Sequence, residues 1–202
     1  MTKKIILPLF LMLLLLPMTS WSVDESCFPP EMIPDNLFPV VELETSMGVI
    51  EVELNRMRAP ATSNNFLRYV LEGKYDGTIF HRVMPGFVVQ GGGYTAEIEE
   101  KAEYDSIINE SGNGLQNIRG SIAMARYNDP HSATNQFFFN MENNTSLNPS
   151  SRNWGYAVFG EVIAGMEVLD AIEAVETGYS EALDAEDVPV KQVLLIKASV
   201  KE

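Results

Sequence analysis

The chain of 202 residues holds one cysteine, Cys27, and two histidines, His81 and His131. A single cysteine excludes an internal disulfide framework and a cysteine-rich zinc site. The two histidines lack partners at ligand spacing, so no metal and no cofactor is expected. Positive charge is scarce as well: 14 Lys and Arg stand against 28 Asp and Glu, a net charge of −14. Nucleic-acid binding needs clustered cations to meet the phosphates, and that class is set aside. No Gly-x-Ser-x-Gly elbow occurs, and Cys27 lies in a proline-rich stretch, so the ordinary hydrolytic nucleophiles are missing. The carboxylates sit on apparent loops, and no pattern brings two together, which leaves glycosidase chemistry without support. No apolar run reaches the ~20 residues that a bilayer crossing requires.

The amino-terminal segment reads as an address. Met1 to Lys4 carries two cations, Ile5 to Leu16 is apolar apart from Pro8, and Pro17 precedes Ser20, Trp21 and Ser22. This pattern predicts a secretory signal over residues 1–22, cleaved after Ser22. A retained anchor is one alternative. A lipid on Cys27 is another, opposed by the charged Asp24 and Glu25 before it. Cleavage removes Lys3 and Lys4, leaving 12 cations against 28 acids, a charge of −16. Such a chain has no stable membrane anchor and repels anionic surfaces. Residues 23–38, with Pro29, Pro30 and Pro34, read as an irregular arm in which Cys27 is a free thiol or a partner's disulfide. Residues 39–202 read as one domain, with no repeat and no second linker.

Within that domain, Val40–Thr45 and Val49–Leu54 alternate apolar and polar residues across Ser46, Met47 and Gly48, a hairpin pattern with acids on the wet face. Pro60 starts a helix whose buried stripe is Phe66, Leu67, Val70 and Leu71, ended by Gly73. Short strands follow at Ile79–Val83, Phe87–Gln90, Ser121–Ala125, Gln136–Asn140 and Ala157–Phe159. Residues 93–119 form a long acidic excursion between them. A second helix is predicted from Met166 to Val175, with Met166, Leu169, Ile172 and Val175 on one side. Residues 176–187 read as a solvated acidic loop, and Val190–Val200 as a closing strand. Many short strands with two helices predict a mainly β fold: a closed or nearly closed antiparallel barrel capped by the helices.

Two segments combine apolar surface with isolated polar groups: Phe80 to Gly93, and Gly120 to Asn140. Alternation puts Phe80 and Arg82 on one face, and Phe87 and Val89 opposite Val88 and Gln90. It does not bring Phe87 and Gln90 together. The run Gly91-Gly92-Gly93 is not a phosphate loop, because acidic sequence rather than a helix follows it. It reads as a tight strand exit.

The run from Phe80 to Gly93 resembles the signature of the cyclophilin family of peptidyl-prolyl cis–trans isomerases. Gln136-Phe137-Phe138 and Gly155-Tyr156-Ala157-Val158-Phe159-Gly160 match further blocks of that family in order. The similarity covers about residues 40–200, and Tyr156 together with the signal resembles the bacterial periplasmic branch. The resemblance implies a cyclophilin-like, closed eight-stranded antiparallel barrel with two helices. It implies an isomerase that rotates X–Pro bonds, binds proline-containing peptides and folding proteins, works as a monomer and lies in the periplasm. Arg82 matches the catalytic arginine, and Gln90 the residue that holds the substrate backbone. Phe87, Phe138 and Leu147 match walls of the proline pocket, and Met124 and Ala125 its floor. Val88 stands for a usual methionine and Tyr156 for a frequent histidine. Arg126 stands for an asparagine, and Ser146 for a tryptophan that serves cyclosporin, so cyclosporin binding is expected to be weak.

The residue types suit the reaction. An X–Pro amide resists rotation by ~18–20 kcal/mol because of resonance. No bond breaks, so the chemistry asks for no nucleophile. A guanidinium aimed at the prolyl nitrogen favours the twisted state, in which that lone pair becomes an acceptor. Two other classes remain open at this stage. One is a module that holds proline peptides without turnover. The other is an unrelated small-ligand barrel, in which Arg82 and Phe138 would not share a groove.

Overall fold

A computed structural model describes residues 36–201. The signal, Cys27 and the arm up to residue 35 lie outside the described residues. Strands β1 (Val40–Thr45) and β2 (Gly48–Leu54) form the predicted hairpin. Val41 pairs with Val52 and Leu43 with Ile50, so one face is entirely apolar and buried. Glu42, Glu44, Glu51 and Glu53 fall on the other face by the period of two. Gly48 closes the turn at φ 137°, where a side chain would also strike Val168.

Helix α1 (Pro60–Leu71) begins on its proline, whose missing N–H is one the first turn leaves unbonded anyway. Phe66, Leu67 and Val70 are buried as predicted. Leu71 is not: it is 50 % exposed, and Tyr69, Thr62, Ser63 and Asn65 complete the inner face. The face is wider than the apolar stripe because small polar residues can lie close to the sheet. Helix α2 (Met166–Glu173) buries Leu169 and Ile172 and packs against β2, while Met166 and Val175 are partly covered.

The remaining strands are β3 (Thr78–Ile79), β4 (Arg82–Met84), β5 (Val88–Gly91), β6 (Ser121–Met124), β7 (Phe137–Asn140), β8 (Val158–Ala164), β9 (Thr177–Ser180), β10 (Ala185–Pro189) and β11 (Leu194–Val200). One curled antiparallel sheet of nine strands runs β3-β11-β1-β2-β8-β6-β7-β5-β4. The fold is thus mainly β with two helices, and the expected count of eight strands is corrected to nine. The extra strand arises because the predicted strand over residues 79–83 breaks at Phe80-His81. Its first half pairs with β11, and its second half with β5, at the opposite edge of the sheet. Residues 176–187 also differ from expectation. They form the β9–β10 hairpin, in which the Tyr179 hydroxyl donates to Asp184 and Val188 pairs with Gly178.

The interior is aromatic. Phe137 stands at its centre, edge-on to Phe66 and Tyr75 at 5.3 Å, to Phe139 at 5.8 Å and to Phe80 at 6.3 Å. All five side chains are essentially fully buried. The Gly91–Gly93 run lies against this cluster: a side chain at Gly91 would meet Phe80, and one at Gly92 would meet Phe137 and Tyr75, each at 2.9 Å. The tight-exit reading of these glycines is therefore the structural one. Phe137→Ala should lower the unfolding free energy by about 3–5 kcal/mol, the range for a buried aromatic truncated to alanine. Urea denaturation of the two proteins measures it, and a loss below about 1 kcal/mol would place Phe137 outside the core.

Candidate functional site

Strand register builds the site. Arg82 on β4 faces Gln90 on β5, Gln90 faces Phe138 on β7, Phe138 faces Ala123 on β6, and Ala123 faces Val158 on β8. This row crosses five strands on one face of the sheet. Its neighbours Val83, Val89, Phe137, Phe139 and Met124 point the other way, into the aromatic interior. Val88, Ala123, Phe138 and Val158 make a second, outer apolar cluster, joined by Phe87, Leu115, Ala125, Leu147 and Tyr156.

A groove of about 140 Å³ opens on this cluster. Arg82, Phe87, Val88, Gln90, Ala125, Phe138, Leu147 and Tyr156 line it, together with Arg126. Eight of the nine residues singled out from the sequence therefore meet in one place. Met124 does not: it is 1 % exposed and belongs to the interior cluster. Alternation along β6 turns Ala123 and Ala125 outward and Met124 inward. Phe87 reaches the groove beside Gln90 because it sits in the turn before β5, where alternation does not yet apply. Phe80 and Arg82 do not share a face, since the chain leaves the strand between them. Arg82 and Phe138 share the groove, contrary to what the small-ligand barrel requires.

The polar groups are held in sequence. Arg82 Nη1 donates to Gln90 Oε1 at 3.5 Å, and Gln90 Nε2 donates to Gln136 Oε1 at 2.8 Å. The amide of Gln90 is thereby oriented with its oxygen toward the guanidinium. Gln136 lies against Gly93, where an added Cβ would come within 2.7 Å of its side chain. The opposite wall is an aromatic stack: Tyr156 is edge-on to Phe138 at 5.6 Å, with the Arg126 guanidinium 4.6 Å from its ring centre. Arg126 also donates to the backbone oxygens of Gly155, Tyr127 and Trp154.

A buried amide network, unforeseen from the sequence, ties the walls together. Asn144 Nδ2 donates to the Phe87 backbone oxygen and to Asn140 Oδ1, each at 2.8 Å. Asn140 Nδ2 donates to Asn117 Oδ1 at 3.1 Å and to Ser121 Oγ at 2.9 Å. Asn117 Nδ2 reaches the backbone oxygens of Leu147 and Tyr156 at 3.2 and 3.4 Å. The only signal in the sequence was the number of asparagines spread over segments that pattern does not connect.

His81, next to Arg82, is 7 % exposed, lies edge-on to Tyr94 and has no hydrogen-bond partner for Nδ1 among the described residues. His131 Nδ1 accepts from the Asn109 N–H at 3.0 Å. Asn109, in an Asn-x-Ser pattern, spends its amide on the backbone oxygens of Pro130 and Gly155.

The lining contains no serine, cysteine or carboxylate. The site sets the Arg82 guanidinium beside an apolar notch on one face of the antiparallel sheet. The family model for cyclophilin-type peptidyl-prolyl cis–trans isomerases matches residues 40–200. A peptidyl-prolyl isomerase from Streptomyces antibioticus is 52 % identical over 79 % of this chain and 97 % of its own length. Isomerase B of Escherichia coli is 46 % identical over 81 % of this chain and all of its own. A cyclophilin structure from Cryptosporidium parvum, solved in the presence of the dipeptide Ala-Pro, shares the fold with a TM-score of 0.66. It is 24 % identical and covers 81 % of this chain and 99 % of its own. The chain belongs to the cyclophilin-type peptidyl-prolyl cis–trans isomerase family. It is an enzyme that accelerates cis–trans rotation of X–Pro bonds.

Burial first, and the charge of Arg82 second, push the His81 imidazole down to about 4. The unfolded chain takes up that proton near pH 6.5, and the folded one does not. This contribution to stability is full above about pH 6.5 and is lost as the pH falls toward 4, by about 3 kcal/mol in all. His81→Gln should flatten the fall in unfolding free energy between pH 6.5 and 4.5. An unaltered slope in the variant would remove His81 as the source.

Proposed function

We propose that Arg82 is the catalytic residue and Gln90 its partner in holding the substrate, with Phe87, Val88, Ala125, Phe138, Leu147 and Tyr156 forming the notch for the prolyl ring. The observation that carries this reading is the run Arg82–Gln90–Gln136 along the edge of the apolar groove. The proline ring enters between Phe87, Phe138 and Leu147 and excludes water. Gln90 holds the backbone on one side of the bond while the other side turns. At the twisted geometry the prolyl nitrogen has its lone pair free, and the guanidinium donates to it. Arg82 thus binds the twisted state better than either planar one. Its charge does not titrate near neutrality. Lowering the barrier by about 5 kcal/mol gives roughly 10³–10⁴-fold acceleration. The Ala-Pro dipeptide present with the Cryptosporidium relative supports a proline-containing peptide as occupant.

The proposed setting follows from the leader pattern. Residues 1–22 direct export, residues 23–38 form an arm, and residues 39–202 work in the periplasm as a monomer on exported proteins. There, slow X–Pro isomerisation limits folding. Counting segment Thr78–Met84 as one strand brings the nine to eight, which supports the eight-stranded barrel that the family resemblance implies. Ser146, exposed beside Leu147, offers no apolar surface to cyclosporin, and binding of that drug is weak.

Arg82→Ala should cut kcat/KM on a proline tetrapeptide by about 10²–10³, the usual effect of losing one preorganised donor. Exchange NMR measures the rate, and a melting curve confirms the fold. A folded variant with unaltered rate removes Arg82 from the mechanism. Peptide binding without faster exchange in the unaltered protein would instead favour a holding module.

A further inference from the structure

The groove differs in charge from the molecule around it. The chain carries −14, yet its groove is lined by two guanidinium groups, Arg82 and Arg126, and by no carboxylate. Among the described residues neither arginine makes an ion pair; all three ion pairs lie elsewhere, at Arg68–Glu72, Arg119–Asp170 and Lys201–Glu51. The partners they do have are neutral. Arg82 meets the amide of Gln90, and Arg126 meets three backbone oxygens and the face of Tyr156. Glu173 accepts from the Gly86 N–H at 2.7 Å in the turn before Phe87; it keeps its charge but does not line the groove. The field of Arg82 is strong enough to help hold the proton off His81.

Arg126 differs from Arg82 in being locked. Its donors reach the backbone oxygens of Gly155, Trp154 and Tyr127, which hold the guanidinium over the Tyr156 ring. A carbonyl offsets part of a cation's hydration but not its charge. The groove therefore keeps an uncompensated positive rim in a partly desolvated place, where Coulomb attraction outlasts screening.

We propose that this isomerase selects X–Pro segments carrying a carboxylate next to the proline, with Arg126 as the specificity-determining residue. The proposal rests on the groove being the isomerase site. It also runs against the overall charge, which would favour basic clients at long range. At about 0.1 M salt the Debye length is ~10 Å, so the remote acids are screened and the rim is not.

The test is exchange NMR on tetrapeptides with Glu, Gln or Lys beside proline, on either side, at about 0.1 M salt. Each catalysed rate is referred to the uncatalysed rate of the same peptide. On one side of the proline, Glu peptides should exceed Lys peptides in kcat/KM by about three- to five-fold, the size of one partly exposed ion pair. Arg126→Gln should bring that ratio close to one, and Arg126→Lys should keep most of it. A purely structural clamp predicts the opposite: both variants lower all rates and leave the ratio alone. Equal rates, or faster Lys peptides, in the unaltered protein overturn the proposal while leaving the isomerase site intact. No acceleration of any peptide overturns the site reading and this proposal together.

Discussion

The site depends on one geometric constraint: side chains of neighbouring strands alternate together only while register is kept. Arg82, Gln90, Phe138, Ala123 and Val158 come from five strands far apart in sequence, yet their pairing sets them in a single row. A slip of one residue in any ladder would bury the polar member or expose the aromatic one. The aromatic interior prevents this. Phe137 and Phe139 on β7, Val89 on β5 beside it and Val83 on β4 beyond, all sit at or near zero exposure. Turning them outward would cost on the order of 2 kcal/mol each. The core thus fixes the groove without contributing an atom to its surface.

In the mechanism proposed above, the arginine and the notch act as a unit. In open water a guanidinium gains little from a weak acceptor such as a twisted imide nitrogen. Against the outer cluster of Val88, Phe138 and Val158 it works in a partly dry setting, already oriented by Gln90 and Gln136. The cost of arranging these groups is met during folding, so on this proposal little reorganisation would remain when the bond turns. Gln136 is the unobtrusive member of this unit. It is half-buried, and glycine at position 93 is what allows it to lie so close.

Most of the groove was legible in the sequence, and the exceptions share a physical origin. The hairpin, both helices and the groove residues followed from period, turn chemistry and family likeness. Met124 was misplaced because a sequence block says which residues are near a site, while the pleat says which side they face. The pairing of Phe87 with Gln90 was unreadable because Phe87 belongs to a turn. The strand over 79–83 read as continuous because apolar content does not reveal that its halves serve opposite edges of the sheet. The β9–β10 hairpin was obscured by five acids among Glu176, Glu181, Asp184, Glu186 and Asp187. The asparagine network was the least visible. A buried amide has no periodic signature, and its value lies in partners fixed only by the finished fold.

That network has a further consequence. Asn117, Asn140 and Asn144 join the Phe87, Leu147 and Tyr156 segments through neutral groups alone. Brine does not weaken such a frame as it weakens surface ion pairs, and acid finds nothing in it to protonate. The ties across the mouth of the groove are thus indifferent to salt and to proton uptake, and what acid does to the fold it does through other groups, His81 among them.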